Sequence, residues 1–370
     1  MADNEKRLLK LLILVGYSVA FPVYLAQRIG GHPEYNRHVV YQAIRENYVK
    51  LQKWHENLYV IKSLQLTQKG YDYIAQRDSG ALAMIYGRLG SMPPLYPSMH
   101  DRIIRLHSIA AGMIIAMNTG AVVPPEEKPS LLVSPGGYPG EITPDPDTAY
   151  YYTSQEIRAA LEEADERTVA KTSRLIGIIV RGHRLYCLYY AGRTRMFWLR
   201  FTEENNANAA QTFLNSRGFQ VSTVFQVVIG HSMDVAEKLC RKTHPFGDRY
   251  YTVSPYFDKC YFITDDPDGE KLLRLIIDPV QALEFNRKVL TPYAPPMANT
   301  REYDAVEVSS NRPVILNYTC DLLQLSNTGP SMIGFDGGPI VLCFDYQART
   351  IQHILGAEME VRIIPQEVDL

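Results

Sequence analysis

Residues 35–70 read YNRHVVYQAIRENYVKLQKWHENLYVIKSLQLTQKG. Between Tyr35 and Trp54, a helical wheel places Val40, Ile44, Tyr48 and Leu51 on one face. His38, Gln42, Arg45, Val49, Gln52 and Lys53 point roughly the other way, so the spacing predicts one helix with a basic, amide-rich outer face. Leu58-Tyr59-Val60-Ile61 and Leu64-Gln65-Leu66 then follow as two short β-prone runs separated by Lys62 and Ser63. Thr67 is placed to cap a further helix containing Tyr71, Ile74 and Ala75. Upstream, residues 5–15 predict a first helix ended by Gly16, and residues 22–29 a second, opened by Pro22 and stopped by Gly30-Gly31.

Helix, helix, helix, hairpin, helix is the order of a winged helix-turn-helix, and Leu66-Thr67-Gln68-Lys69-Gly70 resembles the Leu-Thr-x-x-Gly that closes the second wing strand of such domains. The chemistry suits duplex DNA. A helix fits the major groove, Arg pairs with guanine, Gln pairs with adenine, and a wing lysine neutralises a phosphate. The candidate DNA contacts are Arg37, His38, Tyr41, Gln42, Arg45, Lys53 and Lys62. The same solvated face also suits docking to a protein.

The charge distribution agrees. Residues 1–80 carry eleven Lys or Arg against seven Asp or Glu, a net of +4 in a 370-residue chain whose total is -2. A chain with that overall charge does not coat nucleic acid along its whole surface, so binding is expected to be local. Pro/Gly-rich stretches at Gly90–Pro97, Pro124–Pro146 and Thr291–Pro296 read as linkers or loops. They divide the chain into a winged helix (1–80), a helical connector and linker (81–147), a central α/β domain (148–290) and a C-terminal α/β unit (291–370), an α+β protein as a whole.

Five cysteines, widely spaced and without a C-x-x-C pair, suggest neither a disulfide framework nor a zinc knuckle, and a reducing cytoplasm fits them best. Lys6, Arg7 and Lys10 before Leu11–Val15 imitate a signal peptide, but Asp3, Glu5, Gly16 and Tyr17 spoil the pattern. No apolar run reaches the roughly 20 residues of a bilayer span, so no membrane is expected as a partner.

In the connector, Ser98 caps an expected helix from His100 to Asn118, whose stripe of Ile103, Leu106, Ile109, Met113 and Met117 reads as packing surface or as a face for a second copy of the chain. His100 and His107 lie about 10 Å apart along such a helix, too far to share a metal ion. In the central region, Ser154–Asp165 and Glu203–Arg217 predict helices, while Leu175–Val180, Arg184–Tyr190, Met196–Phe201 and Val221–Ile229 predict strands. The resulting αβββαβ order matches the core of restriction-endonuclease-like nucleases, yet the metal-binding carboxylates of that chemistry are missing from the strands. Such a core would be degenerate. Glu203 and Glu204 are explained by a helix start, the tyrosine clusters at 150–152, 189–190 and 250–251 by half-buried strands, and Asp265–Glu270 by a turn opening a helix.

Walker, Gly-x-Ser-x-Gly and His-Glu-x-x-His signatures are absent from the chain, so no cofactor or catalytic group is assigned. At the C-terminus, Pro313–Tyr318, Ile340–Asp345 and Glu360–Ile364 alternate with helical Cys320–Leu325 and Gln347–Leu355, predicting parallel strands. Gly337-Gly338 precedes a strand instead of following one, which excludes a phosphate loop there.

With the wing, the arginine-bearing third helix and the αβββαβ order in view, the chain resembles the replication-relaxation family of conjugative plasmids and integrative elements. The likeness is clearest over residues 6–76 and thinner at Thr172–Gly177 and in the helix after Trp198. It implies a cytoplasmic, non-enzymatic accessory protein for replication or mobilisation, with double-stranded DNA and either a second copy or a replication or mobilisation protein as partners. Two other functions remain open on the residues alone: a metal-dependent nuclease with an unorthodox site, and a scaffold that docks protein through its winged helix.

Overall fold

A computed structural model describes residues 3–56, 59–87, 100–131, 142–163, 173–193, 196–240, 250–296, 303–328, 338–357 and 359–365. The Gly90–Pro97 linker, Thr172 and Gly337 lie outside these residues, as does part of the Pro124–Pro146 stretch. The protein is α+β and divides into two compact units, residues 1–168 with 176–182 and 216–219, and residues 169–175 with 183–215 and 220–370.

The first unit opens with α1 (Asp3–Ser18), β1 (Phe21–Pro22), a 3-10 segment (Val23–Arg28) and α2 (Pro33–Arg45). Leu8, Leu11, Leu12 and Val15 bury the apolar face of α1. Gly16 does not end this helix as its type suggests. A Cβ there would come within 2.5 Å of Ile85 Cδ1, so the glycine permits close packing, and the chain turns instead at Val19, whose φ is 65°.

The long third helix expected over Tyr35–Trp54 is two elements. α2 stops at Arg45, and β2 (Val49–Glu56) begins after a left-handed Asn47 with φ 58°. The amide of Asn47 donates to the Ile44 carbonyl and that of Tyr48 to the Ala43 carbonyl, the pairing of a Schellman cap. Val49, expected on the outer face of a helix, is buried in the sheet, and Gln52 and Lys53 belong to the hairpin. The two short β-prone runs are likewise a single strand, β3 (Tyr59–Leu66), because Ser63 is buried inside it and hydrogen-bonds His107 at 2.7 Å. β3 pairs antiparallel with β2 and with β1, in the sheet order β1-β3-β2.

Thr67 caps α3 (Gln68–Arg77), which is followed by α4 (Ser79–Gly87) and α5 (His100–Asn118). The Leu-Thr-x-x-Gly run has a physical basis here. Thr67 Oγ1 accepts from the Gly70 amide and donates to the Asn47 carbonyl at 2.6 Å, while Gly70 sits so close to the Tyr48 carbonyl that any Cβ would run into it. The unit is completed by β4 (Tyr150–Thr153), α6 (Ser154–Glu163) and β5 (Leu175–Arg181), with β4 and β5 antiparallel and Tyr150–Tyr152 fully buried.

The second unit contains β6 (Arg184–Gly192), α7 (Arg200–Ser216), β7 (Thr223–Gly230), α8 (Met233–Cys240), β8 (Lys259–Thr264), α9 (Pro267–Ile277) and α10 (Pro279–Leu290). β6, β7 and β8 run parallel. The strand expected at Met196–Phe201 does not form. Phe197 makes only a single bridge to Tyr250, Trp198 is fully buried against Tyr189 and Tyr251, and α7 starts at Arg200 with an Arg200–Glu204 pair one turn apart at 2.7 Å. The order through this region is therefore αββαβαβ and not αβββαβ. Glu203 is buried, accepting from Ser173 Oγ and the Arg174 amide at 2.6 Å each. Asp266 caps α9, as a turn-and-helix reading of Asp265–Glu270 requires.

A second sheet follows, with β9 (Ala305–Glu307), β10 (Arg312–Leu316), α11 (Leu322–Asn327), β11 (Ile340–Cys343), α12 (Asp345–Leu355) and β12 (Glu360–Ile363). Its order is β12-β11-β10-β9, with β10, β11 and β12 parallel as the strand–helix alternation predicts. All five cysteines are free thiols. Among the described residues, no helix is long and apolar enough to cross a membrane.

Candidate nucleic-acid interface

α2 buries Asn36, Val39, Val40 and Ala43, so its opposite face carries Glu34, His38, Tyr41 and Arg45 at helical spacing. Tyr41 is 65% exposed and the Arg45 side chain 79%. Both arginines of this face lie near acids. Arg37 pairs with Glu34 at 3.2 Å, and Arg45 lies 3.6 Å from Glu46. Exposed pairs of this kind are worth at most about 1 kcal/mol, so a phosphate competes easily for either guanidinium.

Gln42 is placed differently from its wheel position. Its amide accepts from Asn4 of α1 at 2.9 Å and donates to Glu46 at 3.2 Å, which ties it across the module. His38, Tyr41 and Arg45 are thus brought onto one exposed stripe with Arg37 at its flank, and Gln42 is turned towards α1.

Lys53 lies not on a helix but on the hairpin, where it meets Lys62, the lysine expected there. They are directly opposite partners in the β2–β3 register, and both are exposed. Like charges facing each other across a ladder destabilise a hairpin, so this pair costs stability unless an anion lies over it. Its side of the ladder continues inward as Leu51 opposite Leu64 and Val49 opposite Leu66, which anchors the lysines to the core. The wheel also missed Tyr35, which is 57% exposed with the Arg7 guanidinium 5.4 Å from its ring. Starting the helix at Pro33, a favoured first-turn residue, would have placed it.

The second unit presents a different polar group at the carboxyl ends of its parallel strands. Tyr190 donates to Asp265 at 2.6 Å, and His231 Nδ1 lies 4.0 Å from the same carboxylate. Burial pushes the His231 pKa down, Asp265 opposes this, and Arg193 adds to it. Among the described residues, no group of three or more His, Cys, Asp or Glu is arranged to hold a metal ion. No protein-family model matches the chain, and no curated protein or solved structure matches it.

Proposed function

We propose that the N-terminal module is a winged helix that binds duplex DNA, with α2 in the major groove and the β2–β3 hairpin as the wing. The chain would then act as a non-enzymatic accessory protein of a mobile genetic element, in the manner of the replication-relaxation family it resembles. The observation that carries this reading is the exposed Lys53–Lys62 cross-strand pair, a like-charge arrangement that intramolecular packing does not explain, in the same module as the exposed Tyr41–Arg45 stripe. α2 supplies thirteen residues, about 20 Å of helix, enough to follow the groove across several base pairs.

Roles follow from position. Lys53 and Lys62 neutralise phosphates and set register without reading sequence, while Arg45 and His38 reach base edges. Gln42, held by Asn4 and Glu46, supports α2 from behind. Fluorescence anisotropy with a labelled duplex tests this division. Arg45→Ala is expected to weaken binding by about tenfold or more, Lys62→Ala to weaken it uniformly across sequences, and Gln42→Ala to act less than either. Unchanged affinity in Arg45→Ala and Lys62→Ala together would sink the reading.

A further inference from the structure

β12 (Glu360–Ile363) ends the second sheet: β11 lies on one side of it, and among the described residues no strand pairs with the other. The Ile364 amide donates to the Cys343 carbonyl at 2.8 Å, so by alternation Glu360 and Arg362 turn their backbone groups in towards β11, while Val361 and Ile363 turn theirs out. The side chains alternate as well. Met359, Val361 and Ile363 share one face, with Ile363 49% exposed, and Glu360 and Arg362 share the other.

An open edge by itself names no partner, and natural edges are commonly guarded by a charge that repels a second copy. β12 carries the opposite pattern. Laid antiparallel against itself about Val361, it sets Val361 opposite Val361, Met359 opposite Ile363 and Glu360 opposite Arg362, apolar to apolar on one face and acid to base on the other. The outward backbone groups of Val361 and Ile363 then fall in the hydrogen-bonded pairs of the ladder, and the charged residues in the closer, non-hydrogen-bonded positions. A slip of two residues, the smallest that keeps both faces, sets Glu360 against Glu360 or Arg362 against Arg362 at the axis. Ion pairs with Arg312 and Glu307 already anchor the two charged side chains on their face. The other surface open to a second copy on sequence grounds, the apolar stripe of α5, is consumed inside its own unit, where Ile103, Leu106, Ile109 and Met113 are buried.

We propose that a second copy of the chain docks on this edge, β12 pairing antiparallel with β12 across a two-fold axis at Val361 and joining the two sheets into one. The contact is small, so the dimer is weak, with a dissociation constant in roughly the micromolar range. It does not rest on the DNA-binding reading, which concerns the other unit.

Sedimentation velocity of the full-length chain, without DNA, from about 1 to 200 μM tests it. The sedimentation coefficient is expected to climb with concentration from monomer towards dimer, and Val361→Lys, which sets like charges across the axis, to stay monomeric throughout. Val361→Pro, whose lost N–H points away from β11, is the second disabling variant should thermal melts show that Val361→Lys fails to fold. Oxidation reads the register. Val361→Cys is expected to cross-link to itself above the wild-type background, its Cα atoms about 5.5 Å apart, while Ile363→Cys, about 13 Å from its counterpart, is not. A chain monomeric at the highest concentration, a dimer untouched by the folded Val361 variants, or cross-linking of Ile363→Cys in place of Val361→Cys would each overturn the proposal.

Discussion

Thr67 and Gly70 show how two residues fix the return of the hairpin onto the helical layer. The Thr67 hydroxyl caps α3 and reaches the Asn47 and Tyr48 carbonyls, and Gly70 leaves room for Tyr48. Thr67→Ala is expected to cost about 1 kcal/mol in urea denaturation, the usual loss of an N-cap. Gly70→Ala should cost more, about 3 kcal/mol, because the added methyl meets backbone and not a flexible side chain. His107 makes a second prediction. Burial beside Ser63 holds its pKa down at about 4 against an ordinary 6.5, so the unfolded chain binds a proton where the folded chain does not. The contribution is fully present above pH 6.5 and is lost as the pH falls from about 6.5 to about 4, on the order of 3 kcal/mol across the window. Thermal midpoints between pH 7.5 and 4.5 check it. His107→Gln should show a shallower acid-side fall than the wild type, and parallel curves would contradict the assignment.

Elements were legible where periodicity and burial agree. α5 spans His100–Asn118 as its apolar stripe predicts, and β10 and β11 stand out as short apolar runs because their residues are largely buried, while β12, at the sheet edge, carries the half-exposed Glu360 and Arg362. The α2–β2 boundary was not legible from the wheel: residues 46–54 continue the helical phase by coincidence, and the left-handed Asn47 is the signal that outranks it. The consequence for the site is direct, since Lys53 moves from a helix face to a position opposite Lys62. Met196–Phe201 misled for a related reason. Its aromatic residues favour strands, yet Trp198 is consumed in a cluster with Tyr189 and Tyr251 and helix formers take over from Arg200. The hairpin yields the prediction proper to this scale. Lys53→Glu replaces a repulsive cross-strand pair by an attractive one, so it should stabilise the protein by about 0.5 kcal/mol while weakening DNA binding. A variant that loses stability and keeps its DNA affinity would contradict the role given to the wing.

At the scale of the whole molecule, the uneven charge is the feature the sequence displays most openly: +4 over residues 1–80 and -2 over the complete chain. Under the proposed DNA-binding function, an acidic remainder would repel DNA, confine contact to α2 and the hairpin and make the interaction depend on a few cations. Such an interaction is salt-sensitive, because each phosphate neutralised releases a counterion. The decisive measurement is anisotropy of a labelled duplex titrated with the full-length chain at about 50 and 200 mM salt. Tight binding is expected at the lower salt, falling by roughly a hundredfold or more at the higher, with a shallower salt slope in the Lys53→Ala, Lys62→Ala double variant. Absence of binding at the lower salt, or binding indifferent to salt and to both lysines, would contradict it.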